Sequence, residues 1–277
     1  AFYWLKLAAE QGHCEAQYSL GQKYTEDKSR HKDNEQAIFW LKKAALQGHT
    51  FASNALGWTL DRGEAPNYKE AVVWYQIAAE SGMSYAQNNL GWMYRNGNGV
   101  AKDYALAFFW YKQAALQGHS DAQNNLADLY EDGKGVAQNK TLAAFWYLKS
   151  AQQGNRHAQF QIAWDYNAGE GVDQDYKQAM YWYLKAAAQG SVGAYVNIGY
   201  MYKHGQGVEK DYQAAFEWFT KAAECNDATA WYNLAIMYHY GEGRPVDLRQ
   251  ALDLYRKVQS SGTRDVSQEI RETEDLL

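Results

Sequence analysis

The sequence predicts an all-α chain in which one helix pair is repeated end to end. Three observations carry that expectation. Helix breakers are scarce: two prolines stand among 277 residues, where average usage near 5% would supply about fourteen. Alanine is the most frequent residue, and 11 Trp and 23 Tyr provide the bulk that packs helices together. Above all, one segment recurs. Ala8-Ala9-Glu10-Gln11-Gly12 returns as Ala44-Ala45-Leu46-Gln47-Gly48 and Ala78-Ala79-Glu80-Ser81-Gly82, and again as Ala114-Ala115-Leu116-Gln117-Gly118. It continues through Gly154 and Gly190 and degrades to Asn226 and Gly262. The spacing is 36 residues throughout, except for one step of 34 between Gly48 and Gly82. Length alone suggests two domains at about 150 residues each. A period that runs the whole length predicts instead a single repetitive domain over residues 1–277.

The elements follow in order. Residues 1–12 read as half a repeat, a lone helix of the second type. Residues 13–262 read as seven helix pairs. The first helix of each pair carries Ala-x-x-x-Leu-Gly-x-x-Tyr, as in Ala86, Leu90, Gly91 and Tyr94, or its variant Ala122, Leu126, Ala127 and Tyr130. Counting that alanine as zero, positions 0, 4, 5 and 8 share one helical face, and the small residue at position five admits a close neighbour. The second helix carries an aromatic cluster followed by alanines, as in Phe109-Trp110-Tyr111 before Ala114-Ala115. Equivalent clusters are Phe145-Trp146-Tyr147, Tyr181-Trp182-Tyr183 and Glu217-Trp218-Phe219, each expected to face the small residues of the first helix.

Gly97-Asn98-Gly99-Val100 and its counterparts at Gly133, Gly169 and Gly205 end the first helices by supplying positive φ. Asp103, Asn139, Asp175 and Asp211 are placed to cap the helix that follows. Pro66 and Pro245 fall in these same loops. The first loop, Thr25 to Asn34, with Lys28, Arg30, His31 and Lys32, departs from the Gly-x-Gly rule, and mobility is expected there. Residues 263–277 read as a capping helix with Val266, Ile270, Thr273 and Leu277 on one stripe and acidic residues on its other side. Residue 1 begins inside a repeat, so a fragment of a longer protein is expected.

Composition excludes several classes of function. No apolar run approaches the roughly 18 residues of a membrane span. A net charge of −5 disfavours a phosphate-neutralising surface, so neither nucleic acid nor membrane is an expected partner. No phosphate-binding Gly-x-x-x-x-Gly-Lys-Ser/Thr, no His-Glu-x-x-His and no Gly-x-Ser-x-Gly occurs. The Gly-x-Gly elements follow helices, not strands, and so read as turns. His13, His49 and His119 each follow a repeat glycine. One repeat apart, about 8–10 Å, they cannot share a metal and read as polar residues at helix starts. No cofactor, no metal and no catalytic residue is expected. Cys14 and Cys225 lie about six repeats apart, roughly 50–60 Å, far beyond disulfide reach. A reducing cytoplasm is the expected compartment.

Asn89-Leu90-Gly91-Trp92-Met93-Tyr94-Arg95-Asn96-Gly97-Asn98-Gly99-Val100, followed by an aromatic cluster and Ala-Ala-x-x-Gly, resembles a consensus unit of the Sel-1-like repeat (SLR) family, a relative of tetratricopeptide repeats. The resemblance covers residues 1–262. It departs at Leu60, where the tyrosine is expected, and at Leu254, where the tryptophan is expected. It implies a right-handed α/α superhelix that serves as a protein-interaction adaptor, mostly in bacteria or in eukaryotic quality-control assemblies. In such solenoids the first helices line the concave wall. Some secreted relatives carry cysteine pairs in each repeat and are linked to β-lactam binding; this chain lacks those pairs.

On the first helices, positions two, three and six face away from the predicted core. Position six holds Trp58, Trp92, Asp128, Trp164 and Tyr200. Position three holds Asn89, Asn125, Gln161, Asn197 and Asn233, and position two holds Asn88 and Asn124. An amide ladder flanked by aromatics matches an extended peptide, whose backbone needs a donor and an acceptor at each step. The expected site is therefore a peptide-binding groove built from these eleven residues, Trp58 apart. The bland alternative is that position six packs on the next repeat and position three bonds the neighbouring helix. Read as open groove residues, these asparagines contribute little stability, so Asn125→Ala should be nearly neutral. The function class this supports is a non-enzymatic, monomeric scaffold that binds a protein or peptide. The alternative is binding of a glycan or small ligand, β-lactam- or peptidoglycan-related, on the aromatic surface. RNA binding is disfavoured because the groove positions lack Lys and Arg.

Overall fold

The computed structural model describes residues 2–26, 33–63 and 65–277, so the expectation for Lys28, Arg30, His31 and Lys32 lies outside the described residues. Among the described residues there are sixteen helices and no strand, in two compact units. The first, residues 1–139, contains α1 (Phe2–Glu10), α2 (Cys14–Thr25), α3 (Asn34–Leu46), α4 (Thr50–Arg62), α5 (Tyr68–Glu80), α6 (Ser84–Asn96), α7 (Tyr104–Leu116) and α8 (Ser120–Asp132). The second, residues 140–277, contains α9 (Lys140–Gln152), α10 (Arg156–Ala168), α11 (Tyr176–Ala188), α12 (Val192–His204), α13 (Tyr212–Glu224), α14 (Ala228–Tyr240), α15 (Leu248–Ser261) and α16 (Ser267–Asp275). The repeating helix-turn-helix architecture predicted from the period is present in both. The first-type helices are α2, α4, α6 and α8 in one unit and α10, α12 and α14 in the other.

The core lies where the period places it. Position-four residues Leu56, Leu90 and Leu126, and Ile162 and Ile198, are fully buried. The small residue at position five seats a ring from the next helix. A Cβ built on Gly57 would come within 2.8 Å of the Tyr75 ring, one on Gly91 within 2.8 Å of Tyr111, and one on Gly199 within 2.6 Å of Phe219. Only the third member of each aromatic cluster does this. Phe109, Phe145 and Tyr181, the first members, are exposed. Three consecutive helical residues span about 200° of arc, so a whole cluster cannot face inward. Each exposed first member instead packs edge-on to the tryptophan beside it, as in Phe109–Trp110 at 4.9 Å between ring centres.

Helix ends are closed by local chemistry. Asp103 accepts hydrogen bonds from the Ala105 and Leu106 amides, Asp175 caps α11 in the same way, and Asp211 caps α13 through the Ala214 amide alone. His49 and His119 are caps as well: each Nδ1 accepts an amide hydrogen, from Ala52 at 3.1 Å and from Ala122 at 3.3 Å. The His13 side chain makes no cap bond. Gly97 ends α6 in the left-handed conformation. Gly99 carries a second constraint besides its φ of 73°, because a Cβ there would lie 2.4 Å from the Tyr68 carbonyl oxygen. The Gly-x-Gly loop is thus pressed against the start of the preceding second-type helix. Val266, just before α16, and Thr273 on it are buried, but Leu277 is exposed, because the helix ends at Asp275 and the stripe is not continued.

Two outcomes follow for stability. Gly118 has φ 88° with nothing near an added Cβ, so Gly118→Ala should cost only the left-handed strain, about 1–2 kcal/mol. Gly99→Ala adds a backbone clash and should lower the melting temperature more than Gly118→Ala does. Burial lowers the His119 pKa from 6.5, with Asp121 partly offsetting it. Below about pH 6.5 the unfolded histidine therefore takes up a proton that the folded one resists. Stability should be full above that pH and decline as pH falls towards the depressed folded pKa. His119→Asn, which supplies the cap that Asn155 provides on α10, should remove that component when urea melts at pH 7.5 and pH 5 are compared.

Candidate functional site

The outward face of the first-type helices places each predicted groove residue. Position six is open: Trp92 is 42% exposed in the first unit and Trp164 is 46% exposed in the second, with Trp58 at 45%. These indoles are presented to solvent, not sandwiched between repeats. Asp128 holds the same position on α8 but is engaged, its carboxylate lying 3.0 Å from the Arg95 guanidinium of α6. Tyr200 is half-buried, edge-on to Phe219, and its hydroxyl accepts a hydrogen bond from Asn233 Nδ2 at 3.0 Å.

Positions two and three lie in the seam between successive first-type helices. Asn89 Nδ2 donates to Asn54 Oδ1 at 3.2 Å, and Asn125 Nδ2 donates to Asn88 Oδ1 at 3.0 Å. Each bond joins position three of one repeat to position two of the repeat before it. Asn197 Nδ2 donates back to the Gly193 carbonyl of its own helix. Gln161 is half-buried. Asn124 and Asn233 are buried, which corrects their placement as open groove residues. The reason is geometric. First helices stack side by side, so the flanks of the outward face are covered while its crest at position six is not. Asn88, Asn89 and Asn125 therefore combine a structural bond with partial exposure.

A second amide system went unpredicted. Gln17 and Gln87 are buried at position one, their Nε2 atoms donating to the Ala9 and Ala79 carbonyls. Gln47 and Gln117, at the ends of the following second-type helices, donate to Gln17 Oε1 at 2.7 Å and to Gln87 Oε1 at 2.8 Å. In the second unit Gln189 and Gln159 repeat the pairing. The signal was present in the sequence. Wherever position one is glutamine, the residue thirty places on is glutamine too, and the one repeat with Ser53 has Ser81 at the matching place.

Between α4 and α6 the outward face opens into a pocket of about 300 Å³ lined by Trp58, Asp61, Arg62, Asn88, Asn89 and Trp92, with Tyr75 of α5 at its base. The Tyr75 hydroxyl donates to Asp61 Oδ2 at 2.7 Å. Asp61 Oδ1 is buried and accepts no hydrogen bond; the Arg62 Nε is 3.6 Å away. Burial raises the Asp61 pKa from its ordinary value, against the opposing pull of the Tyr75 hydrogen bond and the Arg62 charge. Burial and the adjacent carboxylate push the Tyr75 phenol upwards, so it keeps its proton and donates. Sequence reasoning passed over Asp61. The available signal was a carboxylate in the last turn of a helix, where the partial negative charge of the helix end disfavours it. Among the described residues no cluster of His, Cys, Asp and Glu could hold a metal ion, and no helix is long and apolar enough to cross a membrane.

Comparison with known proteins gives one consistent result. The sequence model of the Sel1 repeat matches residues 1–13, 14–49, 50–83, 84–119, 120–155, 156–191, 192–227 and 228–257. The chain is similar to c5321, a protective antigen of uropathogenic Escherichia coli strains that displays an SLR fold. The two are 36% identical with a TM-score of 0.88, over 95% of this chain and 56% of that one. It thus spans just over half the length of that relative. It is also similar to a Sel1 repeat protein from Oxalobacter formigenes, at 33% identity and a TM-score of 0.71, over 77% of this chain and 86% of that one.

The seam bonds change what truncating an asparagine should do. Asn125→Ala removes a half-buried inter-repeat hydrogen bond and should destabilise by about 0.5–1.5 kcal/mol, in place of the near-neutral effect expected for an open groove residue. Trp92→Ala, at the exposed crest, should cost less. Thermal melts of the two variants side by side test this ranking.

Proposed function

The chain belongs to the Sel1 repeat family, whose members generally act as protein-interaction scaffolds on a typically non-catalytic fold, and on that premise we propose that it binds an extended partner segment along the outward face of its first-type helices. One observation carries the reading. Trp58 and Trp92 hold the same position of successive repeats in the first unit, Trp164 holds it in the second, and each leaves nearly half its surface in water. Large exposed indoles are costly to keep unpaired, and rigid aromatics are what protein interfaces use as anchors. The seam asparagines beside them keep a carbonyl or amide hydrogen unspent after bonding each other, because a side-chain amide offers more bonds than the one it makes there. Anchors of this kind, flanked by polar groups that accept any sequence, suit a peptide backbone.

Exposed indoles also stack on sugar rings, so a glycan on the same face is the competing reading. Selection from a displayed random-peptide library, with a carbohydrate array in parallel, separates the two. The control is a Trp58→Ala, Trp92→Ala, Trp164→Ala triple variant whose circular dichroism matches wild type. Peptides should be enriched on wild type and lose at least about tenfold in affinity on the triple variant, roughly 1.4 kcal/mol. Peptides that bind both proteins equally, or binding on the carbohydrate array alone, would overturn the proposal.

A further inference from the structure

The pocket between α4 and α6 differs from the rest of the face in its electrostatics. The Asp61 side chain is only 10% exposed, yet one of its oxygens has no hydrogen-bond partner. A desolvated carboxylate with an unspent acceptor is an unfavourable arrangement that a donor cation would relieve. The walls suit the same visitor. Trp58 and Trp92 line the opening, and indole faces attract cations and pack against aliphatic stems. At about 300 Å³ the space sits at the small end of ligand sites and fits one long side chain.

The chain contains two indications of what this chemistry selects. One repeat further on, the Asp128 carboxylate is met by the Arg95 guanidinium, so an acid on this face takes a guanidinium when one reaches it. Within the pocket, the Arg62 guanidinium hovers 5.5 Å from the Trp58 ring centre while its Nε stays 3.6 Å from Asp61, too far to bond. Arg62 is 68% exposed and belongs to the last turn of α4. It is an exposed competitor held at ion-pair distance without a hydrogen bond.

We propose that this pocket is a subsite for a lysine or arginine side chain of the bound segment, whose charged head donates to Asp61 Oδ1 while its methylenes lie against Trp58 and Trp92. The inference rests on the groove reading and deepens it by specifying the chemistry at one point along the segment. Arg62 swings outward when the cation enters. A net charge of −5 favours approach of a basic segment.

The test uses the full chain with nitrogen-labelled tryptophan and blocked Gly-Lys-Gly, Gly-Arg-Gly and Gly-norleucine-Gly peptides. The indole N–H signals of Trp58 and Trp92 are assigned by substitution to phenylalanine. Lysine and arginine peptides should shift both signals saturably, and norleucine should bind at least about tenfold more weakly, the loss of one charged contact. Asp61→Asn keeps an acceptor for Tyr75 and so preserves the pocket wall; it should reduce affinity for the cationic peptides to the norleucine level. Arg62→Ala should strengthen their binding severalfold. Equal binding of norleucine, no effect of Asp61→Asn, weakening by Arg62→Ala, or no saturable shift with any peptide would each overturn the subsite. The wider reading fails differently. Library peptides that bind through the tryptophans without requiring lysine or arginine leave the groove intact and remove only this inference.

Discussion

An aromatic ring seated on a helical backbone joins the helix pair in three of the repeats, and much of the structure follows from that contact. Tyr75 lies on Gly57, Tyr111 on Gly91 and Phe219 on Gly199, at distances that leave no room for a Cβ. Such contact lets a second-type helix approach the first-type helix before it more closely than side chain against side chain allows. It also decides what the remaining residues do. With the third aromatic of a cluster committed to the core, the first must point to solvent, as Phe109, Phe145 and Tyr181 do. With position five committed to receiving a ring, position six on the same helix is turned outward. The exposed tryptophans are thus a geometric consequence of the buried tyrosines.

Polar groups then set register between the helices that the rings bring together. Nondirectional apolar packing tolerates a slip; a buried amide does not, because an unpaired donor or acceptor costs about 1–3 kcal/mol. Gln17 and Gln87 each tie a preceding helix end through a carbonyl and receive an amide from the following one. The Asn89–Asn54 and Asn125–Asn88 bonds do the same on the outward face. Asparagine on that face is therefore first a spacer between repeats and only second a surface for a ligand. Asp61 also keeps a buried oxygen without a hydrogen bond, as Asn124 does, but it lines a pocket with two indoles.

The loops obey the same logic of close approach. Gly99 and Gly135 adopt positive φ, which a turn alone would explain, but each also rests on the backbone carbonyl of a residue in the preceding repeat, Tyr68 and Tyr104. The Gly-x-Gly motif is a packing contact as much as a helix stop.

By itself the sequence determined the period, the helix pair, the buried leucines and isoleucines, the aspartate caps and the crest at position six. All of these depend on local geometry: a 3.6-residue helix has one inward face, and a cap or a glycine acts within a few residues of where it stands. Only the tertiary structure decided which member of each aromatic cluster is buried, that Asn124 and Asn233 are covered, that Gly99 meets a backbone one repeat away, and that Asp61 shares a pocket with Trp58 and Trp92. Those facts concern surfaces contributed by residues about twenty to thirty places apart. Helical periodicity fixes the direction in which a residue points, whereas its burial depends on how near the neighbouring helix comes, and that distance is set by side chains on both.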